Sequence, residues 1–309
     1  MAVLYPEFES RPYQRPFHRP LQTAWGRWSV RKGWLIRRRL PSGEFGYGEI
    51  CPLPTHQGEL ATDIGEQDSA FARWSVEGTN PTAVYSAMSA ALLPLDRETE
   101  IKLAELDAAG YRFCKLKLGV QDKEREWQLL EQVCLSLPHS MRLRLDPNAS
   151  WSAADWAFWK PRLESKSDRI EFIEEPFEPG ITAKEFAYRA NETSIPIALD
   201  ESLQENLELW TERDWGGFWV IKPSLFEDPD HWLPKLEGKH DRIILSAAFE
   251  TAIGMNAILR LASMLPKSTH HGLGTQAWFA DEWGVPQNGP RIESAPHSRL
   301  EALWNTIPE

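Results

Sequence analysis

Cysteine is scarce. The 309 residues hold three, Cys51, Cys114 and Cys134, far apart and with no Cys-x-x-Cys pair. That excludes a disulfide framework and a zinc knuckle and leaves reduced core thiols as the simplest reading. Nowhere do 18 apolar residues run together, so no membrane-spanning helix is expected. The N-terminal stretch MAVLYPEFESRPYQRPF lacks a basic segment followed by an apolar one, and the chain reads as a soluble, unexported, cytoplasmic protein. Basic residues are outnumbered, 34 Lys and Arg against 45 Asp and Glu, for a formal charge of −11. This argues against nucleic acid or an anionic membrane surface as partner but permits a local cationic pocket. No Gly-x-Gly-x-x-Gly follows the first apolar run and no P-loop occurs, so a nucleotide-binding doubly wound sheet has no support.

What is present is the composition of a globular enzyme, 42% hydrophobic and 26% charged, in a chain long enough for one large α/β domain with an appendage. Fifteen Trp are scattered along it, a pattern that suits packing better than a ligand box. The first 91 residues read as a small α+β unit. WSVRKGWLIRRRLPSGEFGYGEI (28–50) predicts strands around a turn at PSGEFG, and TDIGEQDSAFARWSV (62–76) and PTAVYSAMSAALL (81–93) have helix-forming composition.

From residue 92 to 275 short apolar runs alternate with longer amphipathic ones. The former are RFCKLKLG (112–119), RLRLDPN (142–148), IEFIEEP (170–176), IPIALDES (195–202), FWVIKPS (218–224) and RIILSAAF (242–249), and DKEREWQLLEQVCLSL and AADWAFWKPRLES lie between them as helices. Strands alternating with helices pair in parallel through right-handed crossovers. With LLPL (92–95) and HHGLG (270–274) as weaker ends the strands number up to eight, which suits a closed (β/α)8 TIM-type barrel better than an open sheet. The tail, 276–309, has weak periodicity and is expected to pack back on the first unit.

Each run ends in ionisable or polar groups. Lys117, Asp146, Glu174, Asp200, Lys222 and Ser246 follow one another at intervals of 29, 28, 26, 22 and 24 residues, one βα unit per step. In a β/α barrel the C-terminal strand ends ring one mouth, where active sites of this architecture lie. Lys115 and Lys117, two apart on a strand, share a face, as do Arg144 and Asp146. Three carboxylates converging without a cation repel one another and raise one another's pKa; three oxygen donors with no His or Cys among them suit Mg²⁺. The chemistry that fits is removal of a proton beside a carboxylate, with one lysine as base, the opposite lysine as added positive charge and a divalent cation countering the enediolate. Singly, each motif has a bland reading: DPNAS as a turn, LDES as a helix cap, IEEPFEPG as a loop exit, Lys222 as a snorkelling surface lysine. Five charges on five consecutive strands at one-unit spacing are hard to obtain by chance.

The motifs KLK, LDPN, IEEP, LDES and IKPS, in this order after a segment containing GYGEICPLP, resemble the enolase superfamily, in its lysine-base subgroup related to muconate cycloisomerase. The resemblance runs over nearly the whole chain and implies an N-terminal α+β capping domain over a modified barrel. It implies Lys117 as general base and acid, Lys222 as the cation opposite, and Asp146, Glu174 and Asp200 as Mg²⁺ ligands. Lys115, Arg144, Asn148 and Glu201 would surround that centre. The mandelate racemase subgroup needs an Asp and His where Lys222 stands, and dipeptide epimerases usually carry Asp-x-Asp where this chain has HGLGT. The compact capping segment RPLQTAWGRWSVRKGWLI and GYGEICPLPTHQGE look most like the o-succinylbenzoate synthase family of menaquinone and phylloquinone biosynthesis. A small-molecule carboxylate would then be the partner, its succinyl tail near Ser246 and the backbone at Gly272. An N-acylamino-acid racemase or cycloisomerase would share every metal and base residue, and a silent carboxylate-binding barrel is the rival from outside catalysis. His270 and His271 read as structural, and Cys114 as facing away from Lys115 into the core.

Overall fold

The computed structural model describes residues 9–23, 26–40, 42–51, 86–226 and 232–308. The helix expected over 62–76 lies outside them. The chain opens with two long strands, β1 (Glu9–Thr23) and β2 (Gly26–Arg39), followed by β3 (Phe45–Ile50), paired antiparallel in the order β1-β2-β3. The turn between β2 and β3 falls where PSGEFG places it, with Gly43 at φ +89, a conformation that costs glycine little. On β1 the sequence RPYQRPFHRPLQ repeats every four residues, so Arg11, Tyr13, Arg15 and Phe17 share one face while Pro12 and Pro16 sit on the other. β1 is an edge strand, where a residue without an N–H is tolerated.

Next come β4 (Ser86–Ser89), β5 (Ala91–Leu93), α1 (Thr99–Ala108), β6 (Phe113–Lys117), α2 (Lys123–Ser136), β7 (Arg142–Asp146), α3 (Ala153–Glu164), β8 (Ile170–Glu174), α4 (Ala183–Ala190) and β9 (Ile197–Leu199). Then follow α5 (Glu201–Glu205), α6 (Leu207–Glu212), β10 (Phe218–Ile221), β11 (Ile243–Leu245), α7 (Ala252–Ala262), β12 (His270–His271), β13 (Gln287–Asn288), β14 (Arg291–Glu293) and α8 (His297–Thr306). Strands β5 to β11 form one parallel sheet in sequence order. The ring closes through β12: Gly272 N donates to Leu245 O at 2.7 Å, Ala247 N donates to Gly272 O at 3.1 Å, and β12 pairs in parallel with β4. Eight strands, with β4 and β5 as two halves of the first, make the expected barrel.

One element departs from the sequence reading. PTAVYSAMSAALL has helix-forming composition, yet Ser86–Ser89 and Ala91–Leu93 are strands, and the ring opens at Ser86 rather than at LLPL. Helix propensity is a weak prior beside tertiary pairing. Here the segment is bonded on both sides, β4 to β12 and β14, and β5 to β6.

Alternation on the strands sorts the side chains. On β6, Cys114 and Leu116 point outward into the helical layer and are fully buried there, while Lys115 and Lys117 point into the barrel. Leu143, Leu145 and Ile173 do the same on β7 and β8, against Leu130, Val133, Trp159 and Leu163 of the helices. Each such side chain contributes about 1.5–3 kcal/mol on burial. Trp151 stacks on Trp159 with centroids 5.3 Å apart, and Trp156, Phe177, Phe186, Trp210 and Trp215 continue the cluster edge to face, so these tryptophans are packing residues. Inside the barrel Phe172, Ala198, Val220 and Ile244 fill the lumen below the mouth. The final segment lies against the first sheet: Arg11 Nη1 donates to Trp304 O at 3.1 Å and Ile307 O at 2.9 Å, a cation on the C-terminal carbonyls of α8. Among the described residues no helix is long and apolar enough to cross a membrane, and the three cysteines are buried free thiols.

Candidate active site

The strand ends of β6 to β10 are neighbours in the ladder, and they bring their charges together. Lys117 and Asp146 are paired in register on β6 and β7, and Lys117 Nζ lies 2.7 Å from Asp146 Oδ2. Lys117 Nζ also donates to Asn148 Oδ1 at 2.5 Å, while Asn148 N donates to Asp146 Oδ1 at 2.9 Å. Asn148 takes a positive φ of 54°, which asparagine tolerates better than most residues. Lys115 Nζ bridges Asp146 Oδ2 at 2.8 Å and Glu174 Oε1 at 2.6 Å. Across the mouth Lys222, leaving β10, donates to both carboxylate oxygens of Asp200, and Gln204 Nε2 donates to Asp200 Oδ1 at 3.0 Å.

Burial and charge set the protonation of this group. Asp146, Glu174 and Asp200 are all nearly inaccessible. Burial alone raises the Asp146 pKa, but the Lys115 and Lys117 ammonium groups outweigh it and hold the carboxyl well below its usual range. Glu174 meets one ammonium and two neighbouring carboxylates, so burial, aided by Asp146 and Asp200, pushes it up to about 7. Burial works against the charge of Lys115 and Lys222, yet Asp146 and Glu174 in the first case, and Asp200 and Glu201 in the second, hold both ammonium groups above their ordinary pKa. Glu201 is raised to about 7 by burial and by Asp200 beside it. Lys117 is the most exposed of the three lysines, its side chain 37% accessible against 22% for Lys115 and 16% for Lys222. A base that must reach a substrate needs that access.

Among the described residues no three carboxylate, imidazole or thiol groups are gathered closely enough to hold a metal ion as they stand. The carboxylates are paired with ammonium groups, with Lys115 between Asp146 and Glu174. The donor chemistry suits a hard divalent ion: three buried oxygen donors from adjacent strand ends, with no imidazole or thiol among them.

Not every expected residue joins this group. Arg144 shares the inward face with Asp146, but its guanidinium turns down the lumen, Nε to Glu171 Oε2 at 2.5 Å and Nη2 to His270 O at 2.7 Å, between the rings of Phe113 and Phe172. Glu171 stands at a register shift between β7 and β8, which gives Arg144 its partner. Ser246 and Gly272 face each other across the barrel seam, and a Cβ on Gly272 would lie 3.4 Å from Ser246 Oγ. Neither histidine is placed among the carboxylates: His271 Nδ1 accepts from Leu245 N at 3.2 Å, and His270 packs on Phe113.

Two residues that motif reading leaves unassigned support the site. Glu175 is buried at φ +38 and accepts from Asp200 N at 2.8 Å, Ser202 N at 3.3 Å and Ser202 Oγ, tying the end of β8 to the end of β9. Its signal was the doubled glutamate of IEEP. Glu126, buried on α2, accepts from Gly119 N, Val120 N and Gln121 N at 2.8 to 3.0 Å and so fixes the loop that follows Lys117. A glutamate on the next helix carries no sequence signal for that role.

The family described as Enolase C-terminal domain-like matches residues 99–211. The chain is 31% identical over 297 residues to an o-succinylbenzoate synthase of Thermosynechococcus vestitus, covering 87% of this chain and 92% of that one. It is 28% identical over 276 residues to an o-succinylbenzoate synthase of Photorhabdus laumondii, covering 81% and 84%. Among solved structures, o-succinylbenzoate synthase from Thermosynechococcus elongatus BP-1, complexed with Mg in the active site, superposes with a TM-score of 0.82 at 29% identity over 97% of this chain and 99% of that one.

Proposed function

The chain belongs to the enolase superfamily, among the relatives of the o-succinylbenzoate synthases, and on that premise we propose that it dehydrates 2-succinyl-6-hydroxy-2,4-cyclohexadiene-1-carboxylate to 2-succinylbenzoate. This is the reaction of that name in menaquinone and phylloquinone biosynthesis. The observation that carries the reading is the pair of lysines, Lys117 and Lys222, at strand ends flanking the buried carboxylates of Asp146, Glu174 and Asp200.

Asp146, Glu174 and Asp200 are the residues that would hold a divalent cation, Mg²⁺ in the related solved structure. Such an ion, when bound, supplies the counter-charge for the substrate carboxylate and for the negative charge that develops on proton removal. Lys117, as the free amine, takes the proton alpha to the carboxylate. The electron pair left on that carbon forms the last ring double bond as the C–O bond to the hydroxyl breaks, and the Lys117 ammonium returns its proton to the departing oxygen. One water leaves and the ring becomes aromatic, which drives the step. Lys222, held by Asp200, faces the developing charge from the other side. Asn148 fixes the Lys117 amine on the Asp146 side. The succinyl tail would lie by Ser246 and the side-chain-free backbone at Gly272, which face each other at the seam.

The test is direct. With Mg²⁺ the purified chain should convert the cyclohexadiene acid to 2-succinylbenzoate, and EDTA should stop it. A panel of N-acyl amino acids in D₂O should show no alpha-proton exchange. Exchange without dehydration would instead make the chain a racemase with the same lysines.

A further inference from the structure

The loop after β11, residues 246–251, is gripped by the first sheet at three points. Arg31, fully buried on β2, donates from Nε to Ala248 O at 3.0 Å and from Nη2 to Cys51 O. Arg15, fully buried on β1, donates from Nη1 to Glu250 O at 2.9 Å and pairs with Asp281. Glu49 of β3 accepts from Thr251 N, Thr251 Oγ1 and Gly254 N at 2.6 to 3.1 Å. Glu250 itself accepts from Ala248 N at 2.8 Å and from Ser224 Oγ, two residues beyond Lys222.

Between the two carbonyls gripped by arginine stands Phe249, at φ +68. A bulky residue in the left-handed region is an outlier that persists only where its surroundings over-determine it, and such strain gathers at functional sites. The ring is not wasted. It meets Phe17 of β1 edge to face at 5.3 Å and Phe279 at 6.1 Å, in a small cluster with Leu21, Trp28 and Trp278 that is separate from the main core. Leu21 and Trp28 are register partners near the turn end of the β1–β2 hairpin. One strained phenylalanine thus joins that hairpin end to the barrel seam beside Ser246 and Gly272.

We propose that Phe249 is a positioning residue: clamped by Arg31 and Arg15 through the carbonyls on either side of it, it sets the β1–β2 hairpin end against the rim between Ser246 and Gly272, and so governs substrate affinity rather than proton transfer. The proposal rests on the reading that this mouth is the active site. It separates two effects that a general loss of structure would join. Phe249→Gly removes the ring but relieves the backbone, so its thermal midpoint should stay near wild type while KM for the cyclohexadiene acid rises at least about tenfold and kcat stays within about twofold. Phe249→Leu, which keeps an apolar side chain, should restore most of the affinity. Arg31→Met should raise KM as well, and in the Phe249→Gly background it should add little, because both hold the same loop against the first sheet.

An unchanged KM in Phe249→Gly, or a parallel fall of kcat and thermal midpoint, would overturn the proposal. Amide hydrogen exchange supplies a readout independent of turnover: in Phe249→Gly, peptides covering 13–23 and 246–251 should lose protection together. Wild type inactive on the cyclohexadiene acid would sink the functional reading, while unchanged exchange in both peptides would sink the clamp.

Discussion

Lys115 and Glu174, 59 residues apart in the chain, meet at 2.6 Å between Nζ and Oε1 inside the barrel. The same ammonium touches Asp146 at 2.8 Å, so one side chain bridges two buried carboxylates. Removing it exposes what the carboxylates need. Breaking a buried ion pair by deleting one partner costs about 3–5 kcal/mol. Lys115→Met should lose roughly 3 kcal/mol of stability in EDTA, and millimolar Mg²⁺ should return a large part of it, since a divalent ion can take over the bridging. Denaturant unfolding in both buffers checks this. An equal loss with and without Mg²⁺ would contradict the assignment of these carboxylates as a cation site.

Glu175 gives a second expectation. Its carboxylate takes three donors from the start of the next strand-to-helix turn. Glu175→Ala leaves them without that acceptor in a buried place, for a loss of about 2–3 kcal/mol. Glu175→Gln keeps an acceptor oxygen and should lose less. The same unfolding measurement ranks the two variants, and an equal loss in both would show that Glu175 serves charge rather than hydrogen bonding.

How far the sequence carries can be judged residue by residue. The strands from β6 to β11 announce themselves because each is a short apolar run closed by polar groups. The charges at their ends are legible because barrel topology converts spacing along the chain into neighbours around a mouth. The fate of Arg144 is not legible: alternation fixes its face, but only the register shift at Glu171 turns its head down the lumen. Nor is the first strand, since the Ala- and Ser-rich stretch up to Leu93 has helical propensity and is decided by pairing with β6, β12 and β14. The grip of Arg15 and Arg31 on the loop after β11 spans more than 200 residues of sequence. Its one local trace is the four-residue repeat that puts arginine on the inward face of β1.

His271 makes stability depend on pH. It is buried on β12 and accepts a hydrogen bond from Leu245 N, and burial followed by the nearby Arg144 lowers its pKa to about 3. The folded state therefore favours the neutral ring, and the unfolded chain binds more protons between pH 6.5 and 3. The stabilisation is fully present above 6.5 and is lost as pH falls toward 3, at a rate approaching 1.4 kcal/mol per pH unit. The raised carboxylates Glu174, Glu175 and Glu201 push the other way, binding protons in the fold first. The difference between wild type and His271→Gln cancels them. That difference should shift in favour of the variant as pH drops from 6.5 to 4, and a flat difference would mean that the ring is charged in the fold.

The proposed function requires Lys117 as the base at a metal-dependent mouth. Its most direct test is the rate of 2-succinylbenzoate formation from the cyclohexadiene acid by Lys117→Ala beside wild type, both in Mg²⁺ and both confirmed folded by circular dichroism. Product is expected from wild type, with a rate lower by about 10²–10⁴ in the variant, the range for losing a positioned general base. A folded Lys117→Ala protein turning over at the wild-type rate would contradict that role.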